Sequence, residues 1–174
     1  MDTQQQVIAA LTAMGRGDEA LRDSQYSSAT SHYLEAMRSA NSLPKSEPFD
    51  LPAFTASCSA GLVLALARLG KQEQCLDLVG SVLSFFDRAG GMYPAEYGKW
   101  ILAIISKGIA LGELGRTSEA TTQRERVKNM LQNSLAKEPG TLKWQTQINQ
   151  SLEKLDDLIT SGPPKRKSPW KFWR

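Results

Sequence analysis

Few residues in this chain could carry chemistry. Cys58 and Cys75 are its two cysteines and His32 its one histidine, among 174 residues. A thiol becomes a nucleophile when a nearby base or cation lowers its pKa. Neither cysteine has a histidine near it in sequence, and His32, within Ser31-His32-Tyr33, could meet one only through folding. Cys75 falls where a helix wants a small residue, a slot a buried thiol fills as a small hydrophobe. One histidine excludes multi-histidine metal ligation, and two cysteines are too few for a zinc site or a disulfide scaffold. Gly15-Arg16-Gly17 is a fragment of a phosphate loop with no strand before it and no third glycine in register. The acid pairs Asp18-Glu19 and Asp156-Asp157 are adjacent in sequence, so they point to different sides of a helix. The sequence therefore predicts no catalytic residue, no metal and no cofactor. A thiol enzyme using Cys58 is the weakest alternative.

The elements that position these residues are helices. Leu43-Pro44-Lys45-Ser46-Glu47-Pro48-Phe49-Asp50, Ala89-Gly90-Gly91-Met92-Tyr93, Glu138-Pro139-Gly140 and Ser161-Gly162-Pro163-Pro164 are breakers. Asp50 and Thr141 are placed as N-caps, with Pro52 in a first turn. Apolar residues between the breakers recur at three and four, as in Leu62, Leu66 and Leu69 or Ile101, Ile104, Ile105 and Leu111. No alternating run flanks a tight turn. The spacing predicts seven helices over 3–23, 26–42, 51–69, 72–88, 94–114, 117–137 and 141–160. The longest apolar stretch, Ala60 to Ala67, is too short for a membrane span.

Six of these helices pair into hairpins that repeat. With Ala29, Cys75 and Ala120 aligned, Gly17, Val63 and Gly108 fall together upstream, as do Ala20, Leu66 and Leu111. Tyr33, Val79 and Arg124 fall together downstream, then Ala36, Val82 and Val127. Small residues on facing helices let the axes approach. The pattern resembles the tetratricopeptide repeat, although the period of 46 and then 45 residues exceeds the family's 34 and Arg124 replaces an aromatic. HEAT-like hairpins are the competing assignment. The resemblance implies an all-α, right-handed superhelical stack of three hairpins over about 10–43, 56–89 and 101–134, capped by helix 141–160. Residues 1–161 would form this domain and 162–174 a tail.

Such arrays bind peptides on the concave face lined by first helices. Carried over, this assigns Met14, Asp18 and Arg22, then Ala60, Leu64 and Arg68, then Ile105, Ile109 and Glu113, to a binding groove. The Lys and Asn residues of a carboxylate clamp are absent from these positions. The groove would suit an amphipathic helix or an aromatic-basic peptide; the competing reading is that these stripes are core. The function implied is a non-enzymatic protein-binding module, an adaptor or scaffold or a chaperone-like protein.

Charge is uneven. The net +3 is the sum of a +5 tail and −2 over residues 1–161, so the body lacks the basic balance of a nucleic-acid-binding domain. The tail holds Lys165, Arg166, Lys167, Trp170, Lys171, Phe172, Trp173 and Arg174. Four uses are open to it: docking in a groove of its own or a second chain, contact with an anionic membrane surface, a nuclear import signal in a eukaryote, or none. A peripheral membrane adaptor is the main alternative function. With a polar N-terminus, the expected location is the cytoplasm.

Overall fold

The computed structural model describes residues 3–45 and 48–164 of the chain. Eight α-helices follow in order: α1 (Thr3–Arg22), α2 (Tyr26–Asn41), α3 (Leu51–Arg68), α4 (Gln72–Ala89), α5 (Tyr97–Glu113), α6 (Thr117–Leu131), α7 (Pro139–Leu142) and α8 (Gln145–Ser161). No strand occurs among the described residues. Asp50 caps α3 as expected, its carboxylate accepting the Ala53 amide at 3.0 Å. Three differences concern element ends. Pro94–Glu96 is a 3-10 turn before α5, and Ser134–Lys137 is another after α6. The last predicted helix is two, because Pro139 starts the short α7. Thr141 lies inside α7 rather than capping it, its hydroxyl donating to the Leu135 carbonyl at 2.8 Å.

The three hairpin turns are copies of one another. Ser24, Gly70 and Gly115 each take a left-handed backbone, with φ of 59°, 76° and 76°. The next amide then reaches back to close the preceding helix: Gln25 to the Ala20 carbonyl at 2.8 Å, Lys71 to Leu66 at 3.0 Å and Arg116 to Leu111 at 2.9 Å. Glycine takes this backbone without steric cost, whereas Ser24 takes it with a Cβ.

Helices α1/α2, α3/α4 and α5/α6 pack as hairpins, stacked in chain order, and α8 packs on α5 and α6. The middle first helices are enclosed: every residue from Ala56 to Ala67 in α3 is buried, as are Ile101–Ser106 and Gly108–Gly112 in α5. A helix apolar on all sides is a core helix. Averaged over 18 residues, α3 is long and apolar enough to cross a membrane by length and composition, although its unbroken apolar run is short; 72% of that window is buried inside the fold.

Glycines set the closest approaches. Cβ atoms built at Gly17 and at Gly61 would both overlap the Tyr33 ring, so one tyrosine wedges between α1 and α3. Gly108 was expected to face the second helix of its own hairpin. It does meet Gln123 there at 3.3 Å from an ideal Cβ, but Leu155 of α8 is nearer, at 2.9 Å.

Candidate functional site

The expected concave groove is filled. Ala60, Leu64, Ile105 and Ile109 are all 0% exposed, so the apolar members of the assigned stripe are core rather than an open surface. The reason is that α2, α4 and α5 enclose α3 while α3, α4 and α8 pack along α5, and at the head of α5 the end of α1 adds an ion pair. The Lys99 ammonium, 2% exposed, lies 2.6 Å from Asp18 of α1 and donates to the Ser57 hydroxyl of α3 at 3.0 Å. Tyr33 donates to the same Asp18 oxygen at 2.8 Å, and Ser57 donates to Glu96 at 2.7 Å. Lys99 also lies 5.4 Å from the Tyr33 ring centre and 5.6 Å from that of Trp144. The segment entering α8 meets the end of α1: Gln147 donates its side-chain amide to the Arg22 carbonyl at 2.8 Å, and the Arg22 guanidinium lies 5.9 Å over Trp144.

Met14 and Asp18 are thus half-buried members of a polar knot, and Arg22 is at its rim. Lys99, Tyr33, Ser57, Glu96 and Trp144 were not assigned from sequence. The available signal was Lys99 itself, a lone cation at the head of an apolar helix. The knot holds ionisable groups, and Asp18, Tyr33, Ser57, Glu96 and Lys99 line none of the five depressions that include those described below. Burial, and then the Asp18 carboxylate, push the Tyr33 phenol well above its ordinary value.

The thiols are inert by environment. Burial pushes both Cys58 and Cys75 up to about 12, in the former case against the opposing pull of Lys99. Cys75 fills its small-residue slot, its Sγ 3.7 Å from the Ser106 carbonyl. His32 sits on α2, 3.7 Å from Glu35 one turn on. No group of three or more metal-ligating side chains occurs among the described residues.

The open relief lies elsewhere, along the edge where the hairpins turn. A depression of about 630 Å³ is lined by Ala67, Arg68, Gly70, Gln72, Glu113, Leu114, Lys154, Pro163 and Pro164. It shares Arg68 and Lys154 with a second hollow that holds Tyr26, Glu153 and Asp157. A third shares Glu113, Lys154 and the two prolines, and adds Asp157 and Leu158. Together they form one trench between the hairpin turns and α8. Of the expected groove residues, Arg68 and Glu113 lie in it. Lys154 bonds Glu113 at 2.7 Å, and Arg68 stacks 5.3 Å from the Tyr26 ring centre. Glu153 and Asp157, one turn apart on α8, form no ion pair among the described residues, and both are exposed. The tail residues Lys165, Arg166, Lys167, Trp170, Lys171, Phe172, Trp173 and Arg174 lie outside the described residues.

Comparison with known proteins agrees with this architecture. A crystal structure of a TPR-like protein from Chlorobium tepidum superposes with a TM-score of 0.80 at 29% identity, over 92% of this chain and 98% of that one. No curated protein matches the chain. Residues 3–142 match the sequence model of a family described as Domain of Unknown Function (DUF3856), a match that stops before α8.

Proposed function

The chain belongs to the DUF3856 family, and from its TPR-like fold we propose that it is a non-enzymatic module that binds another protein, holding an extended peptide in the trench between the hairpin turns and α8. The observation that carries this reading is the trench itself. It joins three adjoining depressions, it mixes an apolar lining at Ala67 and Leu114 with charges of both signs, and helix ends build it. A preformed surface leaves the peptide's own ordering as the main entropic cost of binding. A thiol enzyme is disfavoured by the burial of Cys58 and Cys75.

Selection of peptides from a display library on the full chain tests the reading. Enriched peptides should bind with a Kd that changes at least tenfold in a Leu114→Asn/Asp157→Lys variant. Both residues are exposed, so thermal unfolding should stay near that of the unmodified chain. Failure to enrich any peptide, or equal binding to the variant, would defeat the proposal.

A further inference from the structure

We infer that the trench has an occupant within the same chain: residues 165–174, the basic-aromatic segment that follows Pro164. This rests on the reading of the trench as a peptide-binding surface.

Three observations point there. The first is place. Gly162 ends α8 with a left-handed φ of 73°, and Pro163 and Pro164, the last described residues, already line the trench wall. The segment therefore starts at the site and needs no linker to reach it. Ten extended residues span about 33 Å, longer than α8, whose 17 residues rise about 25 Å.

The second is charge. Residues 165–174 carry five cations and no acid. The trench offers Glu113, Glu153 and Asp157 against Arg68 and Lys154, and Glu153 and Asp157 form no ion pair among the described residues.

The third is apolar surface. Trp170, Phe172 and Trp173 supply large rings. The trench supplies Leu114, which is 37% exposed. In an extended segment alternate side chains face opposite ways, so Trp170 and Phe172 share the side turned to this lining while Lys171 faces the rim. A partner peptide of like composition would then bind by displacing residues 165–174, and the segment would set the threshold for binding.

The test uses the full chain with the photo-cross-linking residue p-benzoylphenylalanine in place of Phe172. Irradiation should give an adduct at monomer mass, unchanged in yield on tenfold dilution, that maps by mass spectrometry to the peptides holding Arg68, Leu114 or Lys154. Glu153→Lys/Asp157→Lys on the same background should cut that yield at least fivefold. These exposed positions carry no packing, and a far-UV spectrum checks that the helices persist. Adducts that map elsewhere in the chain overturn the inference. So do adducts only at dimer mass, which would mean docking on a second copy. So does an adduct that forms only with lipid when phosphatidylserine vesicles are present. Loss of the trench adduct with library peptides still bound there sinks this inference and leaves the binding proposal standing; a trench adduct with no library binder does the reverse.

Discussion

Lys99 decides most at the scale of single residues. A buried ammonium is costly unless fully partnered, and this one has Asp18, Ser57 and two ring faces. Lys99→Met should cost about 3–5 kcal/mol, because it strands the Asp18 carboxylate. Adding Asp18→Asn should recover part of that loss; urea denaturation of both variants checks it, and a double variant no better than the single would show that the charge balance is not the cause. The thiols make a second prediction. Cys58 and Cys75 hold their protons up to about 12 in the fold, above the ordinary value of 9.0 that serves for the unfolded chain. The folded state therefore binds protons more tightly. Its advantage is complete below pH 9 and is lost as pH climbs towards 12, with Tyr33 adding in the same direction at the upper end. Urea midpoints should fall from pH 9 upward, and fall less steeply in a Cys58→Ala/Cys75→Ala variant. Parallel slopes would contradict this. Two glycines differ in the same calculable way. Gly61→Ala drives a methyl into a Tyr33 ring that is wedged and hydrogen-bonded, and should cost about 1–3 kcal/mol. Gly108→Ala meets the ends of Leu155 at 2.9 and 3.0 Å and Gln123 Cβ at 3.3 Å, wider than the contacts at Gly61, and gains about 1 kcal/mol of helix propensity, so it should cost less than Gly61→Ala in thermal melts.

Elements were legible wherever local chemistry decides them. Ser24, Gly70 and Gly115 lie 46 and 45 residues apart, at the spacing of the repeat, and the structure gives all three the same backbone and the same closing bond. Ser24 is the one that carries a Cβ there. Ser24→Gly should stabilise the chain by about 0.5–1 kcal/mol, seen as a raised melting temperature; no change, or a loss, would mean that the Ser24 side chain compensates. The groove was not legible, because stripes of Leu64, Ile105 and Ile109 look alike whether a partner or the protein's own chain covers them. What covers them is neighbouring helices, α2, α4 and α5 on α3 and α3, α4 and α8 on α5, and which helices meet depends on contacts far apart in sequence. Arg124 shows the same limit. It reads as a defect in the repeat, where an aromatic is usual, yet it forms a two-pronged pair with Asp156 of α8 at 2.7 and 3.2 Å. The departure from the pattern marks the place where the array ends and the cap begins.

At the scale of the whole molecule, the bond from Gln147 to the Arg22 carbonyl changes what kind of repeat protein this is. In an open array each unit touches only its neighbours, and stability is a sum of local terms. Here the last helix reaches the first, so the ends cannot fray independently. Fluorescence of the half-buried Trp100 and the buried Trp144 and far-UV circular dichroism should therefore give coincident urea transitions in the full chain. Separate midpoints would show that the ends unfold on their own. The same contact bears on how such a chain can change by duplication. Open solenoids lengthen freely, because a copied hairpin finds the same two neighbours it had before. A fourth hairpin inserted before α8 would carry Gln147 and Trp144 away from Arg22 and lift Leu155 and Leu158 off Gly108 and Gly112 of α5. For this protein the number of hairpins is part of the fold, and a duplication would have to remake these contacts to be retained.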